Sequence, residues 1–139
     1  MKKLFFTGGG GAGNEAIWRY LKNKYIMHFG DADKNRINPI IPFENRHEIP
    51  LARSKNYVNH IVELCKKLKI DIIVPGVDEE LNKFAKNINI FSPTIILLPR
   101  HDFINQMSDK YDMVKFLESK GIKVPNTILL SDNIETVTF

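Results

Sequence analysis

The stretch Leu4-Phe5-Phe6-Thr7-Gly8-Gly9-Gly10-Gly11-Ala12-Gly13-Asn14 decides the fold. Its apolar start predicts a strand buried on both faces, and its glycines predict a tight turn into a helix. Gly8, Gly10 and Gly13 have the G-x-G-x-x-G spacing that opens a βαβ unit able to bind a dinucleotide or a phosphate. Glycine suits such a turn because, lacking Cβ, it reaches φ > 0 and lets an anion approach the amides at the positive end of a helix. Gly10 is expected to need that conformation, so a β-branched residue there is expected to strain the turn.

The rest of the chain follows the same plan. A strand over residues 3–7 leads into a helix over about 12–22, with Ile17, Tyr20 and Leu21 at helical spacing and Trp18 off the stripe. Tyr25-Ile26-Met27-His28-Phe29 reads as the second strand and ends in Gly30-Asp31-Ala32-Asp33. Asp31 and Asp33 follow the glycines by about 20 residues, where a Rossmann unit places the acid that holds a ribose hydroxyl. Residues 35–50 are aperiodic and carry Pro39, Pro42 and Pro50, so only a short edge strand at 47–49 is expected. His28 and His47 are read as structural.

Residues 57–69 form a marked amphipathic helix with Val58, Ile61, Val62, Cys65 and Leu68 on its buried face. Ile70-Asp71-Ile72-Ile73-Val74-Pro75 then reads as a buried parallel strand, followed by Gly76-Val77-Asp78-Glu79-Glu80 and a short helix. Residues 94–98 supply one more apolar strand. With right-handed crossovers, this alternation gives an α/β fold, a Rossmann-like parallel sheet with helices on both faces. The glycine turn, Asp31/Asp33 and Asp78/Glu79 should meet at the carboxyl ends of its strands.

Composition narrows the function. At 139 residues the chain can bury a sizeable core. Its net charge of +4 is spread among acids along the helices, which argues against nucleic-acid binding. Cys65 stands alone, so no intrachain disulfide forms, and a cytoplasmic setting is expected. The apolar run after Lys2-Lys3 is too short for a signal peptide, and no segment approaches the ~20 apolar residues of a membrane span.

Beyond Arg100 the pattern changes. Residues 101–107 predict a short helix. Ser108 or Asp109 caps the next one, Met113, Phe116 and Leu117 face inward, and Gly121 ends it in the left-handed conformation. Pro125 then forces an extended exit toward a strand at 128–130. Asp109-Lys110 followed by Gly121-Ile122-Lys123-Val124-Pro125-Asn126-Thr127 resembles a junction of the ATP-grasp superfamily. There a D-K dipeptide opens a helix that ends in G-[IV]-x-[VI]-P-x-T. Ile70 to Leu81 is similar to the I-D-x-[IV]-[IV]-P-x-x-D-E-E-L segment of its carbamoyl-phosphate-synthase-like branch, and the glycine turn suits that branch's N-terminal pre-ATP-grasp domain.

The resemblance implies a pre-ATP-grasp domain over residues 1–107, with 108–139 as linker helix and first strand of an ATP-grasp body whose remainder lies outside this sequence. It implies ligation of a small-molecule carboxylate to an amine or thiol through an acyl phosphate, with ATP and Mg²⁺ as cofactors of the complete protein and no catalysis by this stretch alone. Lys110 inherits contact with the ATP phosphates. Gly8, Gly10, Gly11 and Gly13 are the cofactor-binding glycines, and Asp31, Asp78 and Glu79 line the substrate side of the cleft. For Asp78 and Glu79, capping the following helix is as good a reading. No metal ligand is expected within the stretch, and homodimerisation stays open. The alternative is a small Rossmann module for NAD(P) or another nucleotide, which the glycines and Asp31/Asp33 favour but which leaves residues 109–127 without a purpose. A third reading is a regulatory domain that kept the fold and lost the chemistry.

Overall fold

The computed structural model describes residues 1–129, which divide into two compact units, one over Met1–Leu98 and one from Pro99 onward. In the first unit, strands β1 (Lys3–Thr7), β2 (Ile26–Asp31), β3 (Arg46–Glu48), β4 (Ile72–Val74) and β5 (Ile95–Ile96) form one parallel sheet in the order β3-β2-β1-β4-β5. Helices α1 (Asn14–Leu21), α2 (Tyr57–Leu68) and α3 (Asp78–Lys86) make the crossovers with two single 3-10 turns, Lys34–Arg36 and Phe43–Asn45, between β2 and β3.

Alternation along the strands explains the two cores. Leu4 and Phe6 join Met27, Phe29, Ile37 and Ile41 on one face, where Ile17, Trp18 and Leu21 of α1 pack. Phe5 and Ile73 point to the other face, against Tyr57, Ile61, Val62 and Cys65 of α2 and Phe84 of α3. A residue's partner face reverses with each step along a strand, so Leu4-Phe5-Phe6 serves both layers. Cys65 is buried and its thiol is pushed up to about 12 by that burial, which makes it an inert small hydrophobe.

Two expectations need correction here. Tyr20 is 82% exposed. The buried stripe of α1 runs through Asn14, Ile17, Trp18 and Leu21, and Tyr20 lies about 100° off its centre at helical spacing. Trp18 is half-buried and meets Phe29 edge-on at 6.3 Å between centroids. The aperiodic residues 35–50 also hold more core than their pattern implied, because Ile37 and Ile41 are fully buried.

In the second unit, α4 (His101–Met107) packs against α5 (Lys110–Ser119). Asp109 is the N-cap of α5, its carboxylate accepting from Tyr111 N–H at 2.8 Å and Asp112 N–H at 3.0 Å. Gly121 ends the helix at φ +74°, with Ile122 N–H donating to the Leu117 carbonyl at 3.1 Å. Residues 128 and 129 carry no strand, and Leu130, the rest of the expected strand, lies outside the described residues.

The β2–β3 edge carries a titratable pair. His28 Nδ1 and His47 Nε2 lie 3.0 Å apart, with His47 also tilted against the Phe5 ring. Burial, then Lys3, lowers the His28 pKa, and burial, then His28 and Lys67, lowers His47 to about 4. The fold therefore favours the neutral rings, while the unfolded chain takes up protons near the ordinary histidine value of about 6.5. The pair's contribution is full above that value and is lost as pH falls toward 4. Urea unfolding should show a lower midpoint at pH 5 than at pH 7, and His47→Gln should flatten that difference. An unchanged pH slope in the variant would remove the pair from the account.

Candidate functional site

The strand order reverses between β1 and β4, and in an open parallel sheet such a reversal opens a crevice at the carboxyl ends of the strands. The turns that leave β1 and β4 are pressed together there. A Cβ on Gly76 would fall 2.2 Å from the Thr7 carbonyl oxygen, so only glycine fits. Gly8 takes φ +61°, and a side chain on it would come within 3.0 Å of Val77 Cγ2 and 3.1 Å of the Gly76 oxygen.

Glu80 holds the junction. It is 1% exposed, although its neighbours Asp78 and Glu79 face solvent. Its Oε1 accepts from Gly76 N–H at 2.9 Å, from Val77 N–H at 3.1 Å and from the Thr7 hydroxyl, and its Oε2 accepts from the Tyr57 hydroxyl. The bond to Val77, the N-cap of α3, is the returning half of a capping box. Burial raises the Glu80 pKa against the opposing pull of these donors, and burial together with the facing carboxylate pushes the Tyr57 hydroxyl up. Sequence reading passed over Thr7, Tyr57 and Glu80 as site residues. The available signal was spacing: Glu80 stands one helical turn before the buried Phe84, on the inward stripe of α3.

Beside the junction lies a cleft of two adjoining lobes, of about 160 and 510 Å³. Both lobes touch Asp31, Ala32, Arg36, Ile49, Pro50 and Leu51. The smaller reaches Gly8, Tyr57, Glu79 and Glu80, and the larger reaches Asp33, Glu48 and His60. Of the acids expected at the cleft, Asp31, Asp33 and Glu79 line it, while Asp78 heads α3 outside both lobes. Among the expected glycines only Gly8 touches it. Gly11 and Gly13 are exposed, Gly13 as the N-cap of α1.

Gly10 departs from expectation in its physics. Its φ is not positive, so the constraint there is space: a Cβ would lie 2.9 Å from Asp31 Oδ2 and 3.0 Å from Arg36 Cβ. Lys110 is exposed and is the first residue of α5, in the second unit.

Removal of the Glu80 carboxylate tests the junction. Glu80→Ala leaves the Val77 amide and the Thr7 and Tyr57 hydroxyls to find other partners, while the Gly76 amide keeps the Thr7 hydroxyl oxygen at 2.9 Å. Each group that stays unmet costs about 1–3 kcal/mol. A loss of about 3 kcal/mol or more in denaturant unfolding is expected, and less for Glu80→Gln, whose carbonyl oxygen still faces the Gly76 and Val77 amides. A loss below about 0.5 kcal/mol for the alanine variant, the range of an ordinary surface change, would show that the junction stands without it.

Comparison with known proteins places this architecture. Residues 10–97 match the family model described as PylC-like, N-terminal domain. Among solved structures, N5-carboxyaminoimidazole ribonucleotide synthetase from Thermotoga maritima aligns with a TM-score of 0.61 at 18% identity, over 91% of this chain and 33% of that one. This chain thus spans about a third of that protein's length. L-threonine dehydrogenase from Clostridium difficile aligns with a TM-score of 0.42 at 17% identity, over 88% of this chain and 34% of that one. No curated protein matches the chain. The family model covers most of the first unit and more than half of the chain, which belongs to the PylC-like N-terminal domain family.

Proposed function

We propose that the chain is the substrate-side N-terminal domain of an ATP-dependent ligase that joins a carboxylate to an amine or thiol, and that it is inactive without the remainder of an ATP-grasp body. The observation that carries this reading is the family match over the unit that holds the cleft, a unit whose fold also aligns with about a third of N5-carboxyaminoimidazole ribonucleotide synthetase. In this reaction a substrate carboxylate oxygen attacks the γ-phosphorus of ATP, and ADP leaves. The amine or thiol then attacks the acyl carbon of the acyl phosphate, and phosphate leaves.

This chain's share is to bind and orient. Gly8 and Glu79 wall the carboxylate substrate's side of the cleft, and Glu80 fixes the turn that leads into α3, where Glu79 sits. Lys110 supplies one positive charge to the ATP phosphates. Magnesium is expected with ATP, but among the described residues no three His, Cys, Asp or Glu gather as a metal site. In this reading the magnesium ligands come from the rest of the ATP-grasp body, as the resemblance implies. Among the described residues no helix is long and apolar enough to cross a membrane. The reading places the protein in the cytoplasm.

The test compares this chain with the full product of its gene, read past the codon for Phe139. ADP release should appear with the full product and a panel of amino-acid and small metabolite carboxylates, and not with the 139-residue chain. Lys110→Ala in the full product should raise the KM for ATP about tenfold while the protein stays folded, as loss of a charge-assisted phosphate contact predicts. ADP release by the chain alone would overturn the inactivity, and an unchanged KM would take Lys110 out of the phosphate site.

A further inference from the structure

The glycine turn has the spacing of a phosphate cradle, yet three successive amides of it, those of Gly9, Gly10 and Gly11, are already engaged within the protein. Gly9 N–H donates to the Gly30 carbonyl at 2.8 Å and Gly11 N–H to the Gly8 carbonyl at 2.9 Å. These two bonds belong to the backbone. Gly10 N–H donates instead to a side chain, Asp31 Oδ2, at 2.8 Å.

Asp31 is pinned in that pose. Its other oxygen, Oδ1, accepts from Asp33 N–H at 3.2 Å, and Asp33 in turn uses its own Oδ1 to accept from Asn35 N–H at 2.9 Å. Both acids at the end of β2 thus serve the loops around them. A dinucleotide in this fold asks for the reverse: free turn amides for the pyrophosphate and a free acid for the ribose. A phosphate entering this turn meets a carboxylate already seated on the Gly10 amide. Like charges at that separation repel, and displacing Asp31 also leaves the Asp33 amide without its acceptor.

We propose that Asp31 is a specificity-determining residue, a built-in anion whose carboxylate occupies the Gly10 amide and excludes phosphate-bearing ligands from the glycine turn. The turn then works as a wall of the cleft, and Asp31 lines both lobes with its remaining surface. The inference stands on the geometry of the turn and does not depend on the ligase reading.

The experiment titrates the 139-residue chain with inorganic pyrophosphate and with NADH, and follows the Gly10 amide by ¹⁵N NMR. In the parent chain the Gly10 resonance should stay in place up to several mM of either probe, weaker than the usual range for cofactor sites by about tenfold or more. Asp31→Ala should bind pyrophosphate at least about tenfold more tightly than the parent, with the Gly10 resonance moving, because a charge-assisted donor is released. Asp31→Asn keeps an acceptor but removes the charge and should fall between the two. A parent chain whose Gly10 amide shifts with pyrophosphate or NADH would overturn the proposal, and so would a folded Asp31→Ala that binds no better than the parent. Should the alanine variant fail to fold, the asparagine variant decides, and affinity equal to the parent's would overturn it.

Discussion

The rest of the first unit depends on the contact between two turns, Thr7-Gly8 after β1 and Gly76-Val77 after β4. The backbones approach so closely that a single methyl group on Gly76 would overlap the Thr7 carbonyl. The junction also buries the Thr7 and Tyr57 hydroxyls, and buried donors without partners are costly. Glu80 meets that need from α3, taking two amides and two hydroxyls on its two oxygens. One side chain therefore ties β1, α2, the β4 turn and α3 together at the point where the sheet reverses direction. The cleft opens beside this point, with Gly8, Tyr57, Val77 and Glu80 of the junction lining its smaller lobe.

Much of this was legible in the sequence, for a physical reason. Where burial follows a period, residue spacing reveals it: Leu4-Phe5-Phe6, the stripe from Val58 to Leu68, and Ile72-Ile73-Val74 gave their elements and the α/β class. Asp109 and Gly121 were readable because helix ends demand particular residues. Ile37 and Ile41 were not readable, since they are anchored by 3-10 turns and bonds such as Arg46 Nε–H to the Ile41 carbonyl at 2.7 Å, which leave no period. Glu80 was hidden for another reason. Two of its four donors, the Thr7 and Tyr57 hydroxyls, lie far away in sequence, and only its spacing to Phe84 sets it apart from its exposed neighbours Asp78 and Glu79.

The glycines show how one spacing serves different ends. The fingerprint reports that a strand must turn sharply into a helix beside another strand, and the structure meets that demand at Gly8 and Gly76. It does not report what the turn amides bind. That depends on the side chain at the end of β2, twenty-one positions from Gly10 in sequence, and on whether it points toward the turn or into the cleft. The same residue type at the same place can favour a ribose or occupy the turn, so the motif is evidence for the fold before it is evidence for a ligand.

Lys110 rests on a different balance. A lysine in the first turn of a helix opposes the positive end of the dipole, and on sequence alone that misfit favours a role in binding. The local structure weakens this argument. Asp109 caps the helix beside Lys110, and Asp112 adds a second acid to the first turn, so the electrostatic cost of the lysine is offset where it arises. What singles out Lys110 is its place in the ordered series of Asp109-Lys110 and the Gly121-to-Thr127 exit, together with the family of the unit that precedes it. The physical case for this lysine must therefore be made by what it contributes to ATP affinity, because helix energetics no longer require an explanation for it.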